Sequence, residues 1–404
     1  MHFSSKSVRR LSAVVLSLCV AFVIMIVVQP YLSVAALSVS KPLCGTWQAI
    51  QGPQMEADEM KGLRSVLALS NDNVWAVGGA KTKFLGPYAW GNSQPLIRHW
   101  NGSKWSSVAL AQIEDNKDYT LTSVGADSED NIWAVGYSDT KQRESKTFVA
   151  HWDGSSWQAI SSPSPGRSYN VLRKVFVVSQ NEAFAVGSYK DNNIEHVLVL
   201  HWDGHKWGLF KGPDLNGVSA ALVSVVAISL TNVWAVGYYK DKEQPQHPLI
   251  VHWDGKSWST LFVKGSGEYM SLNSIAAVSP SNIWAVGGAE EGRELIMHWD
   301  GRSWSVDTNA DYFGPLSDVV VNSKDDVWAV GPSAGVSVPI VRRWDGHTWL
   351  NIPAPQVRAS QNFRAITLDP SGGVWAVGYT FDNEDGPYYA LAAHFTKAVC
   401  TSSS

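Results

Sequence analysis

From residue 44 onward the chain is a succession of short apolar and aromatic runs broken by tight polar turns. One stretch shows the order. A run over 222–228 leads through a short polar turn into Val233-Trp234-Ala235-Val236-Gly237; a variable loop follows, then Leu249-Ile250-Val251-His252-Trp253, then Asp254-Gly255 and a last run around Trp258. Runs of this length, rich in β-branched and aromatic residues, predict four antiparallel strands. Asp-Gly between the third and fourth predicts a two-residue hairpin turn with positive φ at both central positions.

The same order recurs along the chain. The phrase ending Trp-Ala-Val-Gly stands at Trp75, Trp133, Trp234, Trp284, Trp328 and Trp375, with Phe184 in place of the tryptophan once; successive spacings are 58, 51, 50, 50, 44 and 47 residues. A second phrase, His99-Trp100-Asn101-Gly102 with Trp105, recurs around Trp152, Trp202, Trp253, Trp299 and Trp344. Nineteen of the 20 tryptophans fall into this scheme, so composition is set by a repeat rather than by several unrelated cores. A four-stranded unit of about 50 residues, repeated seven times, predicts an all-β, seven-bladed β-propeller whose sheets stand radially around a channel.

The seventh unit ends early: Ala390 to Phe395 gives a third strand with His394-Phe395, and no Asp-Gly turn or fourth-strand tryptophan follows. The missing strand lies at the other end, where Cys44-Gly45-Thr46-Trp47-Gln48-Ala49-Ile50 matches the fourth-strand sequence Gly154-Ser155-Ser156-Trp157-Gln158-Ala159-Ile160. The N-terminal strand is therefore expected to complete the last blade and leave no open edge at the seam. Cys44 and Cys400 flank that seam and are expected to form a disulfide. The propeller is placed at 44–400, with a short tail at 401–404.

The Trp284-Ala285-Val286-Gly287-Gly288 phrase, a variable loop, an aromatic-Asp turn and Trp304 resemble the kelch repeat over 44–400. Only Gly78-Gly79 and Gly287-Gly288 keep its glycine doublet. The Asp-Gly-x-x-Trp phrase is also similar to the Asp-box of sialidase-like propellers, without the residue that box places between Asp and Gly. A copper-radical oxidase of the kelch-like kind would need a free cysteine to crosslink a tyrosine, and both cysteines beyond the leader are assigned to the seam.

Residues 1–40 differ in kind. Lys6, Arg9 and Arg10 precede an apolar run over 11–28, and small residues follow around 35–40, the pattern of a signal peptide or an uncleaved signal anchor. Either way the body is expected outside the cytoplasm, secreted or held at the membrane only through this segment. Without those three basic residues, 29 of the 32 Lys and Arg face all 36 acids, a net of about −7, which argues against nucleic acid as a partner.

In such a propeller one face carries short, near-verbatim turns; the other carries loops from five residues at 289–293 to seventeen at 79–95. Ligand contacts are expected on that variable face and its central mouth. The residues after each Val-Gly should ring it: Gly79, Tyr137, Ser188, Tyr238, Gly288, Pro332 and Tyr379. Trp90, the tryptophan outside the repeat, and Tyr88 belong to the longest loop, and with Tyr137, Tyr238 and Tyr379 they form the candidate ligand-binding set. The repeated Trp and His read as packing and inter-blade hydrogen-bonding groups, not as metal ligands. Gly331-Pro332-Ser333-Ala334-Gly335 matches the nucleophile elbow by letter but falls in a blade loop, so no catalytic residue is assigned, and no cofactor or metal.

These features predict a monomeric, exported binding or scaffolding module for a protein or glycan. A carbohydrate-active enzyme would draw on loop carboxylates such as Asp382, Glu384 and Asp385, or Glu290 and Glu291. A third reading, an assembly factor similar to photosystem assembly propellers, rests on architecture alone. Three acidic or basic groups converging at the channel mouth would favour the enzyme; an aromatic mouth without paired carboxylates would favour binding.

Overall fold

The computed structural model describes residues 44–398 apart from 51–59, 82–92, 115, 143, 241–244, 264–269, 308–313, 333–337, 359 and 383–387. Leader residues 1–40, Tyr88, Trp90, Ser333, Glu384, Asp385, Cys400 and the tail thus lie outside the described residues.

Seven antiparallel sheets form, each opening on a strand that lines the axis. Blade 4 is representative, with strands Ser219–Ser229, Asn232–Lys240, Gln246–Trp253 and Trp258–Phe262 in sequence order. Blade 2 gains a fifth strand that the sequence did not suggest: Leu110–Ala111, from the connection out of blade 1, pairs in parallel with Trp157 and Gln158.

Blade 7 is completed as expected. Gly45–Ala49 pairs antiparallel with Tyr389–Lys397, Trp47 opposite Phe395 and Gln48 opposite His394. Hydrogen bonds extend the ladder beyond both ends, from Ile50 N–H to Ala392 at 2.9 Å and from Ala398 N–H to Cys44 at 2.7 Å. The Trp47 ring packs 5.4 Å from Phe395 and 5.9 Å from Phe363.

The turn between third and fourth strands differs from the two-residue hairpin. Trp152 pairs directly with Trp157, leaving four residues in the turn, and only Gly154 takes positive φ. The reason is the aspartate: Asp153 Oδ1 accepts the N–H groups of Ser155 and Ser156, both at 2.9 Å, and so closes the turn with a side chain. The Ser155 hydroxyl, which donates to the same oxygen at 2.7 Å, and then these two N–H groups pull the Asp153 pKa down to about 2.

The repeated histidines also bond differently from expectation. His151 Nε2 meets Asn131 Oδ1 at 2.8 Å within its own blade, and the same oxygen accepts Trp133 Nε1–H at 3.0 Å. What crosses between blades is ring packing: Trp133 lies 4.7 Å from Trp202 and 5.3 Å from Trp207 of the next blade. Departures from the repeat are compensated nearby. Where Phe184 replaces the tryptophan, Phe210 of the same blade fills the space, 5.9 Å from Phe184 and 5.2 Å from Trp253 of the next blade. Where Arg343 replaces histidine, its partner is Asp326 rather than asparagine, at 2.8 Å.

Candidate binding site at the channel mouth

The repeated glycine determines what lines the axis. In blade 3 the pairing of first and second strands slips between Leu172 and Lys174, so Arg173 is an extra residue, a β-bulge. The bulge presses the first-strand backbone onto the second: a Cβ on Gly187 would lie 1.9 Å from the Val171 carbonyl oxygen. Gly78, Gly136, Gly237, Gly287, Gly331 and Gly378 are equally crowded, at 1.9–2.2 Å from the corresponding carbonyl. Only glycine tolerates that approach.

Fourteen residues ahead of each of these glycines stand Arg64, Thr122, Arg173, Val223, Asn273, Ser317 and Arg364, one per blade. All seven line a cavity of about 320 Å³ on the axis, together with Ser65, Lys174, Asp318 and Ala365. In six blades the bulge sits near the start of the first strand, and the Val-Gly phrases end at the same level. The cavity therefore opens toward the variable face.

The next position on each strand ties the blades together. Ser65 and Ser123 accept the backbone N–H of Val124 and Val175 in the following blade, each at 3.2 Å. In blade 6 the position is Asp318, which accepts Ser274 Oγ–H at 2.6 Å from blade 5 and Ile366 N–H at 3.0 Å from blade 7.

Charge around this ring is uneven. Arg64, Arg173, Lys174 and Arg364 belong to blades 7, 1 and 3, and among the described residues Asp318 is the one acid of the lining. Asp318 lies 3.8 Å from Lys174 across the channel. Arg173 faces the buried Glu195 at 3.9 Å and donates to Tyr169 Oη at 3.2 Å. Among the described residues, neither Arg64 nor Arg364 has a carboxylate within ion-pair distance. Crowding by the protein holds the Arg64 pKa below the ordinary arginine value, Tyr137 pulls it back up, and the charges of Arg364 and Arg173 lower it further. An arginine stays charged regardless.

The three tyrosines named from the sequence each stand beside this arginine set rather than forming a continuous rim. Arg364 lies 5.0 Å over the Tyr379 ring. Tyr238 donates to Glu195 Oε2 at 3.2 Å, and burial, then the Glu195 charge, push its pKa up to about 12. Tyr137 is half-buried and acts on Arg64. Ser188 of the expected ring is fully buried and donates to Glu195 Oε1 at 2.7 Å. Among the described residues the loop acids do not converge: Asp382 pairs with Arg358 at 2.6 Å, and Glu291 with Arg293 at 3.0 Å, while Glu384 and Asp385 lie outside those residues. Sequence reasoning missed the arginines, because they do not recur; the constant offset from the repeated glycine was the available signal.

No family model matches the chain, and no curated protein does. Solved structures do, as folds. YCF48 from Cyanidioschyzon merolae superposes with a TM-score of 0.53 at 16% identity, covering 86% of this chain and 98% of that one. YCF48 bound to D1 peptide gives 0.52 at 15%, covering 89% and 100%. The GH74 xyloglucanase from Xanthomonas campestris gives 0.52 at 14%, covering 86% of this chain but 55% of that one. This likeness defines the class, a seven-bladed β-propeller, and goes no further.

Proposed function

We propose that this chain is an exported, non-enzymatic propeller that binds or scaffolds a protein or glycan at the mouth of its channel on the variable face. The observation that carries the reading is the cationic mouth in a chain whose net charge is −4. Both earlier criteria bear on it: four basic groups converge, as set out for an enzyme, while of the binder's criterion only half is met, since among the described residues no aromatic lines the cavity but no paired carboxylates face it. Arginine decides between them, since it holds anions but neither takes nor gives a proton near neutral pH. The lone acid of the lining, Asp318, is already occupied by two hydrogen bonds. Tyr238 is no nucleophile candidate either, its hydroxyl being held protonated.

The carbohydrate-active enzyme is the second reading; in its favour stand the converging basic groups and the fold likeness to a xyloglucanase. The assembly-factor reading has a counterpart in the propeller solved with a bound peptide, again at the level of fold. The kelch-like kinship rests on the repeat phrase. Secretion or membrane anchoring through residues 1–40, and a monomeric state, complete the proposal. To test it, the body of the protein is immobilised and exposed to cell-envelope extract beside an Arg64→Ala/Arg364→Ala variant. Capture of a discrete ligand by the parent and its loss in the variant is expected; equal capture by both would refute the site, and hydrolysis of glycans by the parent would refute the class.

A further inference from the structure

The hydrogen-bonding inventory of the mouth is lopsided. Arg64 and Arg364 present up to five N–H donors each and no acceptor. Most of the polar groups around them, the Ser317 hydroxyl excepted, have their acceptors or their protons engaged. Thr122 donates its hydroxyl to Leu172 at 2.8 Å, and Asn273 donates to Leu316 at 2.8 Å while accepting Ser271 Oγ–H at 3.1 Å. Asp318 accepts from Ser274 and Ile366 and faces Lys174. The mouth thus offers protons and little to receive them. A sugar brings a hydroxyl proton with nearly every oxygen, whereas an ionised carboxylate brings acceptors only.

The arginines are also unequal. Glu195 is buried, fixed by the Ser188 and Tyr238 hydroxyls, and lies against Arg173. Its charge offsets that of Arg173 and leaves the pair on adjacent blades 7 and 1 without an opposing acid among the described residues. A cavity of about 320 Å³ seats a group the size of one side chain or chain end, at the lower limit for ligand pockets.

We infer that the mouth takes one carboxylate of a peptide between Arg64 and Arg364, and that Glu195, by neutralising Arg173, restricts the site to a single negative charge. The inference rests on reading the mouth as the ligand site. Glu195 acts here as a positioning residue: it does not touch the ligand but sets how much negative charge the three arginines accept.

The test is selection from a displayed library of random twelve-residue peptides on the immobilised body of the protein. The parent should enrich peptides with one carboxylate, as Asp, Glu or a free C-terminus. Glu195→Gln frees Arg173 and should raise enrichment of peptides with two or more acids about tenfold, the scale of one partly exposed charge pair. Ser188→Ala removes a contact to Glu195 but keeps its charge, and should retain the parent's preference. Arg64→Ala/Arg364→Ala should lose acidic enrichment altogether. Unchanged selectivity in Glu195→Gln, or the same shift in Ser188→Ala, would overturn the role of Glu195. Parent enrichment of peptides without acids would overturn the carboxylate. If the parent instead captures oligosaccharides on a glycan array and selects no peptide, the peptide assignment fails while the mouth remains a binding site.

Discussion

Replacing Gly187 by alanine tests the geometry from which the channel ring follows. The added methyl would lie 1.9 Å from the Val171 carbonyl oxygen and 2.9 Å from the Val171 carbonyl carbon and the Leu172 Cα, where ordinary contact begins near 3.4 Å. All three obstacles are backbone of the neighbouring strand, so no side chain can rotate away; one strand must move by roughly 1.5 Å. Overpacking a well-filled interior costs about 1–3 kcal/mol, and an obstacle that cannot rotate places this case at the top of that range. Gly208 is the control: nothing lies within 4 Å of its Cβ position, so alanine there stabilises by about 0.4–1 kcal/mol through the unfolded chain. Guanidinium unfolding followed by tryptophan fluorescence should separate the two variants by about 3 kcal/mol or more. The displaced bulge carries Arg173, so Gly187→Ala should also change the selectivity that Glu195 imposes. A Gly187→Ala protein as stable as Gly208→Ala would show that the bulge does not press on the glycine.

Acid should destabilise the protein before its carboxylates titrate. Burial lowers the pKa of His99, His151, His252 and His298 below the ordinary 6.5, so the unfolded chain binds more protons, and the stability present above that value is lost as pH falls through the folded values. Melting temperatures between pH 8 and 5 should fall toward acid; a flat profile would contradict the assignment. Asp318→Ala strips partners from the buried Ile366 N–H and Ser274 hydroxyl and should cost about 1–3 kcal/mol in denaturant unfolding, while anion capture at the mouth tightens. A variant with parental stability would show that the inter-blade bonds contribute nothing. Non-reducing peptide mapping should recover Cys44 joined to Cys400, and reduction should lower stability by up to about 5 kcal/mol in the chain-entropy account; two free thiols would disprove the link.

What repeats was legible in the sequence, and what does not repeat was not. Seven Val-Gly phrases gave the blades, and the match of 44–50 to 154–160 gave the closure, because both are copies of one local solution. The turn was misjudged because an Asp side chain can do the work of a second positive φ, and side-chain capping is not visible in the dipeptide alone. The histidines were placed between blades because their position recurs, yet recurrence does not say whether the partner lies in the same sheet. Arg64, Arg173 and Arg364 were overlooked for the opposite reason. They occupy one structural slot that elsewhere holds Thr, Val, Asn and Ser, so the reading that finds repeats discards them as variation. The chemistry of the channel lies in that variation, while the glycine that exposes it is constant.

The strand at Gly45–Ala49 waits for Tyr389–Lys397, which is made only after the other six blades. Six blades can mature in order of synthesis, each from neighbours already made, but the strand at Gly45–Ala49 has no partner until blade 7 has been made. A chain cut short before residue 389 keeps two unsated edges, at its head and at its tail, and both can pair with another molecule. The seam therefore works as a check on the ring: only a chain that reaches the last strand of blade 7 can close it.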